Sequence, residues 1–321
     1  MVCQYISYIL DMLKETSRRK FEEFDDVGKH FLLEIVEMDR IEADLSPQEE
    51  RELEEARRQQ GEKDTSLLAK LGEAIIDDVP NSRGWLGDCK SFVSVAAEYD
   101  DRINHVDVIQ EIVIKDDRGR DHVFELGIDV TTRHPDNHNL DSKRRETQIE
   151  IEENYKELED KVRGLSNGVK SGHGLSTKVR FFRSLAAADS ADVIRRTPDG
   201  ASHTRMPGVI ISIPSRMVEE IALLDANARA GDIISEQELE EHPFKDEYFG
   251  QIKACLTYQL REIEYRMYME MDGSREEDEF RVAKEEIERI LEYVSLKVGE
   301  DYEIKNFWLL ELLEKHFPER T

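Results

Sequence analysis

Cysteine is scarce in this 321-residue chain, which contains only Cys3, Cys89 and Cys255, with no CxxC spacing. This distribution argues against a disulfide framework or a cysteine zinc site and is typical of a reducing compartment. Long apolar runs are also missing, since none approaches the roughly 20 residues that a bilayer-spanning helix needs. The first residues lack the basic segment that precedes the apolar part of a secretory signal. We therefore expect a cytoplasmic protein that does not enter a membrane.

Positive charge is also in short supply, because 45 Lys and Arg face 72 Asp and Glu, a formal net charge of −27. This balance argues against a protein that coats nucleic acid through general basic charge. The deficit is uneven, since residues 161–206 hold 9 Lys and Arg against 3 Asp and Glu, a local charge of +6. Such a basic stretch near acidic residues would suit a phosphodiester substrate. The alternative is a near-neutral core domain that carries acidic, solubilising helices.

The pattern along the chain predicts three regions: helices over 1–80, an α/β core over 81–226 and helices over 227–321. Ser46 and Glu49 form a capping box that begins one of the first helices. Pro80 to Gly84 reads as a linker and marks the first boundary. In the last region, two apolar stripes at helical spacing predict a helical hairpin or small bundle packed on the core.

Residues 104–132 predict two strands joined by a polar turn that contains Gly119. In the second strand apolar residues alternate with others, which gives it one apolar face. The apolar residues are Phe124, Leu126, Ile128 and Val130. If Lys115 pairs with Asp121, antiparallel register places Asp107 opposite Asp129 and Glu111 opposite Glu125.

Carboxylates that face each other across two strands require water, raised pKa values, basic partners or a cation. Mg²⁺ binds through one or two carboxylates, water and substrate phosphates, so the pair Asp107 and Asp129 predicts a magnesium site. A helix predicted from Cys89 to Glu98 ends just before the hairpin, and Glu98 could supply a third acid. Asp100 or Asp101 could instead cap or bridge. The alternative interpretation is an exposed hairpin face with solvated acids.

Basic residues follow the hairpin at several places. A helix is predicted from Ser142 to Arg163, and the cation of Lys143 in its first turn opposes the helix dipole. That cost is tolerable if Lys143 faces acids or phosphate. After a glycine-rich loop over Gly164 to Gly174, strands are predicted at Lys178 to Arg183 and Val209 to Ile213. Ordinary surface charge is the alternative interpretation of these cations.

Asp107 at the start of one strand and Asp129-Val130-Thr131 in the next resemble the PD-(D/E)xK nuclease superfamily, over about residues 85–226. The resemblance implies a restriction-endonuclease-like core with a central mixed sheet. It implies a Mg²⁺ (or Mn²⁺) ion held by Asp107 and Asp129, with Glu98 matching an acid that some members carry on the preceding helix. Thr131 stands where the motif lysine is expected, so Lys143 is the candidate for that ammonium.

The leading hypothesis is a Mg²⁺-dependent phosphodiesterase that acts on DNA, with Lys178, Arg180 and Arg183 contacting phosphates. A second hypothesis is a catalytically degenerate nuclease fold that binds nucleic acid, or a protein partner through its acidic helices. A third is an acidic helical protein whose hairpin is incidental. Convergence of the two aspartates in the folded chain, and the position of an ammonium beside them, separate these hypotheses.

Overall fold

The structure, a computed structural model, describes residues 45–60, 67–87, 89–115, 119–134, 148–171, 174–180, 204–269, 275–299 and 302–318. Its helices are α1 (Pro47–Gln60), α2 (Leu67–Ser82), α3 (Gln148–Ser171), α4 (Ser215–Arg229), α5 (Ile233–Glu240), α6 (Phe244–Met269), α7 (Arg275–Val298) and α8 (Phe307–His316). Its strands are β1 (Lys90–Val95), β2 (Val108–Lys115), β3 (Asp121–Thr131), β4 (Thr177–Val179), β5 (Thr204–Met206) and β6 (Gly208–Ser212). The mixed α/β class that the sequence predicts is confirmed.

Four strands form the central mixed sheet in the order β1-β2-β3-β6. The first three strands are antiparallel, and β6 pairs with β3 in parallel. The predicted hairpin register is confirmed, because Lys115 pairs with Asp121 and Glu111 lies opposite Glu125. The Lys115 ammonium also forms a 2.6 Å ion pair with Asp121 beside the turn. β4 and β5 form a separate two-stranded sheet.

The predicted helix from Cys89 to Glu98 is wrong, because most of this segment is the edge strand β1. Phe92, Val93 and Val95 are β-branched or aromatic residues that favour a strand when a neighbouring strand can pair with them. β2 supplies that pairing, with Phe92 opposite Glu111 and Val95 opposite Val108. Tertiary pairing thus outweighs a helical signal that was only local.

One large apolar core joins the helices to the sheet. From α2 it takes Leu71, Ala74, Ile75, Ile76 and Val79, and from the sheet it takes Val108, Ile112, Phe124, Leu126, Ile128 and Val130. Buried residues of α3, α4, α6, α7 and α8 belong to the same core. α2 continues through Pro80 to Ser82, where a linker was predicted. The division of the chain into three regions stays a prediction.

A smaller apolar cluster lies at the other face of the hairpin. It consists of Ala96, Val106, Ile109, Val179 and Met206. Gly127 of β3 belongs to this face, since a Cβ added there would come 2.7 Å from Cγ2 of Thr177 in β4. β4 and β5 therefore lie over the face of β3 that also carries Asp129.

α3 runs past the end that the sequence predicts, because it continues through Gly164 and Gly168 to Ser171. Leu158, Val162, Leu165 and Val169 of this helix are buried in the large core at helical spacing. A Cβ at Gly168 would overlap the carbonyl oxygen of Ser176, whereas a Cβ at Gly164 would meet nothing within 4 Å. Gly168 is thus an interior helical residue selected for close packing, and the predicted loop there is wrong.

α6 covers the free edge of the sheet. Gln251 accepts a hydrogen bond from the Ser212 amide at 2.7 Å and donates one to the Ser212 carbonyl at 3.0 Å. Two turns further on, Gln259 donates to the Gly208 carbonyl at 2.7 Å. Eight residues of α6 thus run alongside four residues of β6. The backbone N–H and C=O groups on the unpaired edge of β6 thereby find hydrogen-bond partners in α6.

The C-terminal region is helical as predicted, and α6 packs against α7 as a helical hairpin. Phe249, Ile252 and Leu256 of α6 and Phe280, Ile287 and Ile290 of α7 are buried in the large core. Among the described residues, no helix combines the length and apolar composition that crossing a membrane would require.

Candidate functional site

Asp107 is held at the point where the chain enters β2. A π-helical turn, Asp100–Asn104, ends at His105, whose left-handed backbone has φ 56° and redirects the chain toward the sheet. The Asp107 amide then donates to the Ile128 carbonyl at 2.9 Å, and its carbonyl accepts from the Ala96 amide at 2.9 Å. Asp107 is therefore pinned by its backbone between β1 and β3.

The two predicted aspartates lie on neighbouring strands. Val108 pairs with Ile128, so Asp107 and Asp129 occupy the next facing positions along β2 and β3. Oδ2 of Asp107 accepts a hydrogen bond from the Val130 amide at 2.7 Å, which fixes its carboxylate beside the residue that follows Asp129. Asp129 is buried, with 8% of its surface exposed.

An ammonium group completes the arrangement. The Nζ atom of Lys161 forms a hydrogen-bonded ion pair with Oδ1 of Asp129. Lys161 lies on α3, where Leu158, Val162 and Leu165 anchor the same side of the helix in the core. We call Asp107, Asp129 and Lys161 the acid–lysine cluster.

The electrostatics of the acid–lysine cluster follow from burial and charge. Burial raises the pKa of Asp107 well above its usual range, and the nearby charge of Asp129 raises it further. Lys161 opposes this rise in the pKa of Asp107. Burial would lower the pKa of Lys161, but the charges of Asp129 and Asp107 outweigh it and raise that pKa. Lys161 is therefore a cation at neutral pH and a proton donor in hydrogen bonds.

The donor set of the acid–lysine cluster fits a hard divalent cation. Asp107 and Asp129 offer carboxylate oxygens, and Mg²⁺ commonly uses one or two carboxylates together with water and substrate phosphate. Within the described ranges, no group of three or more His, Cys, Asp or Glu is placed to hold a metal ion. Glu73 on α2 is close enough for its charge to raise the pKa of Asp107.

Glu98 does not lie where the sequence predicts. Its carboxylate accepts hydrogen bonds from Arg57 of α1 at 2.6 and 3.0 Å, and from Nε of Arg102 at 2.8 Å. These two cations lower the pKa of Glu98, mainly through the Arg57 hydrogen bond. Because the segment before it is strand β1 and not a helix, Glu98 serves an ion-pair network on the edge of the fold.

The cations that the sequence predicts to contact phosphate or the acids lie in different parts of the chain. Lys178 lies in β4, and Arg180 directly follows that strand. Arg180 already has an anionic partner, because its Nε donates to Oε1 of Glu49 at 2.6 Å. Lys143 and Arg183 lie outside the described residues.

Sequence reasoning missed Lys161, although a signal for it was present. It begins the basic stretch at 161–206 and directly precedes the apolar Val162. A lysine bordering the buried stripe of a helix brings its ammonium close to the sheet that the stripe packs on.

The second acid pair, Glu111 and Glu125, is confirmed across the strands and both residues are buried.

Comparison of the chain with protein-family models, with curated proteins and with solved structures finds no match.

Proposed function

We propose that the protein is a Mg²⁺-dependent phosphodiesterase that cleaves DNA at the acid–lysine cluster. The observation that carries the proposal is the ion pair of Lys161 with Asp129, beside an Asp107 that is fixed on the adjacent strand. The PD-(D/E)xK resemblance requires two acids on adjacent strands and one ammonium. In this proposal Lys161 supplies the ammonium in place of Lys143.

The order of elements supports a restriction-endonuclease-like core. α2 precedes three antiparallel strands, α3 follows them, and β6 returns parallel to β3. This order keeps the two acid-bearing strands adjacent near the middle of a mixed sheet. The same order brings α3 back to Asp107 and Asp129. A lysine of α3 can therefore reach these acids, although Thr131 occupies the motif position.

The residues of the cluster have separate roles in the proposed reaction. Asp107 and Asp129 would hold Mg²⁺ or Mn²⁺, which polarises a bound phosphate and makes attacking water more acidic. Lys161 keeps its proton on Nζ, so it would stabilise negative charge on phosphate oxygens or orient water by donating a hydrogen bond. The hydrogen bond from the Val130 amide would keep the Asp107 carboxylate in position during the reaction.

The test combines metal binding with cleavage. Calorimetry with Mg²⁺ and Mn²⁺ should show binding to the wild type that Asp107→Asn and Asp129→Asn lose. Nicking of supercoiled plasmid should be lost in both variants and in Lys161→Gln. Asp121→Asn is the matched control, because it removes one carboxylate from the far end of β3. A wild type that neither binds metal nor nicks DNA, or an Asp129→Asn variant that nicks normally, would overturn the proposal.

A catalytically degenerate nuclease-fold module is the second candidate. It is favoured by the finding that no three metal-binding side chains converge within the described part of the chain. The raised pKa of Asp107, caused first by burial, also favours a protonated carboxyl, which is a poorer metal ligand. Such a protein would bind DNA, or a protein partner through its acidic helices. DNA binding without nicking, unchanged in Asp129→Asn, would identify it.

A further inference from the structure

The two-stranded sheet of β4 and β5 has one basic face. Lys178 and Arg205 are direct partners across these strands, so their side chains leave the sheet on the same side. Thr177 and Met206 are also partners, and both lie against the Gly127 position of β3. Because side chains alternate along a strand, Lys178 and Arg205 occupy the outer face. We call Lys178, Arg180 and Arg205 the basic face.

Like charges that face each other across two strands are unfavourable unless an anion lies nearby. α1 places two acids, one helical turn apart, near Arg180 and Lys178. Oε1 of Glu49 accepts a 2.6 Å hydrogen bond from Nε of Arg180, and this bond is the main reason that the pKa of Glu49 falls to about 2. The Tyr99 hydroxyl is the main cause of the lowered pKa of Glu52, to which the charge of Lys178 also contributes.

Polar side chains make several of the contacts that attach α1 to the fold. Leu53 and Ala56 are its buried apolar residues, and neither belongs to the large core. The Glu49–Arg180 and Arg57–Glu98 ion pairs and the hydrogen bond from the Tyr99 hydroxyl to Glu52 are among its polar contacts. Ion pairs of this partly exposed kind contribute little stability and weaken with salt. An anion with more charge could therefore displace α1 from the basic face.

We propose that α1 is an acidic arm that occupies the basic face in place of a nucleic-acid phosphate backbone and must leave it before nucleic acid binds. A carboxylate and a phosphate oxygen present the same kind of acceptor to a guanidinium group. The β4–β5 sheet packs its inner face on Gly127, two residues before Asp129 on β3, and carries the basic face on its outer side. This inference rests on the proposed function and adds a way in which access of nucleic acid to the protein is regulated.

The test compares two double variants with the same change in charge. Glu49→Gln with Glu52→Gln removes the acids that face the basic face. Glu50→Gln with Glu54→Gln removes two exposed acids of the same helix and is the matched control. Glutamine at position 49 can keep the capping-box bond from the Ser46 amide, so α1 should remain folded. The single variant Glu52→Gln is a milder form of the same change.

Binding is measured by fluorescence anisotropy with a short labelled DNA duplex, in EDTA so that metal chemistry plays no part. We expect Glu49→Gln with Glu52→Gln to bind about tenfold tighter than the wild type, with a steeper dependence on salt. Glu52→Gln should show a smaller gain, and the control pair little change. Adding Lys178→Gln and Arg205→Gln to the first variant should remove the gain.

Equal affinity in the two double variants, or a gain that survives loss of Lys178 and Arg205, would overturn the inference. The outcome is separable from that of the proposed function. Tighter binding with no plasmid nicking in Mg²⁺ would refute the phosphodiesterase and leave the arm in place. Nicking by the wild type, with equal DNA affinity in the two double variants, would support the phosphodiesterase and refute the acidic arm.

Discussion

The Lys161 ammonium pairs with the Asp129 carboxylate, although 31 residues and the start of a long helix separate the two in the chain. Thr131 occupies the position two residues after the acid, where the PD-(D/E)xK pattern would carry its lysine. The positive charge beside Asp129 comes from α3. Two acids and one partly buried cation share the cluster, and burial raises the pKa of Asp107, so the charge of the cluster and its effect on stability depend on pH.

Removing the cation should destabilise the fold at neutral pH. Lys161→Gln leaves Asp107 and Asp129 facing each other without a positive partner, which we expect to cost about 2–4 kcal/mol of the free energy of unfolding. The loss should shrink at acidic pH, because burial raises the pKa of Asp107 and that carboxyl then carries a proton. Urea unfolding followed by circular dichroism at about pH 5 and about pH 8 measures both effects.

Lys156→Gln is the control for this experiment, because Lys156 is exposed on the same helix. It should change the free energy of unfolding by less than about 0.5 kcal/mol. If the cluster holds a divalent cation, Mg²⁺ should also raise the Tm of Lys161→Gln more than that of the wild type, since the ion replaces a missing charge. A Lys161→Gln variant as stable as the Lys156→Gln control would contradict the importance of the ion pair.

The raised pKa of Asp107 predicts that removing this carboxylate stabilises the protein at high pH, whereas removing Lys161 destabilises it. Burial, and then the charge of Asp129, raise this pKa above its unfolded value, so the folded state binds the proton more tightly. The corresponding stability is present at low pH and is lost as pH rises through the folded pKa. Asp107→Asn abolishes that loss and can still accept the Val130 hydrogen bond. It should therefore be more stable than the wild type above neutral pH.

The measurement is the difference in the free energy of unfolding between Asp107→Asn and the wild type as a function of pH. We expect the variant to gain on the wild type as pH rises from about 4 to about 8. Asp121→Asn, at the turn end of β3, is the control for the loss of one carboxylate remote from Asp107. A difference that is flat with pH would mean that Asp107 titrates near its unfolded value.

Local patterns in the sequence were sufficient for the hairpin. Alternating apolar residues and a glycine turn fix the pairing of Lys115 with Asp121, and the facing positions of the acids follow from it. The capping box of Ser46 and Glu49 is likewise confirmed, with a 2.8 Å bond from the Ser46 amide to the Glu49 carboxylate. These features depend on residues a few positions apart, or on one turn between two strands.

Features that depend on distant partners were not accessible in the same way. β1 is a strand because β2 pairs with it, and Glu98 meets Arg57 because α1 docks nearby. Lys161 reaches Asp129 because the whole of α3 packs across the core. A single sequence contains the apolar stripe of α3 but not the direction in which the helix crosses the sheet.

Two glycines of α3 should respond in opposite ways to the same substitution. Gly164→Ala adds a methyl group to open space inside a helix and should stabilise the protein by about 0.5–1 kcal/mol. Gly168→Ala would drive a methyl group into the Ser176 carbonyl and should destabilise it by about 1–3 kcal/mol. Thermal unfolding of the two variants provides the measurement. Equal effects would mean that α3 does not approach Ser176 closely.

The glutamine contacts of α6 with the sheet edge give a further prediction. Gln259 is fully buried, donates to the Gly208 carbonyl at 2.7 Å and accepts from the Ser176 hydroxyl at 2.6 Å. Gln259→Met keeps the size of the side chain but leaves both partners without it, at a cost of about 2–4 kcal/mol. Gln237→Met, at an exposed position of α5, is the control and should be nearly neutral.

Hydrogen exchange locates the effect of Gln259→Met within the fold. Because Ser176 also accepts from the Gly208 amide at 2.7 Å, loss of Gln259 loosens the start of β6 before it reaches the rest of the sheet. Amide exchange should therefore quicken around Gly208 and in the facing part of β3, and remain slow between β1 and β2. Uniform quickening across all four strands would show that α6 stabilises the whole fold and not the edge of β6 in particular.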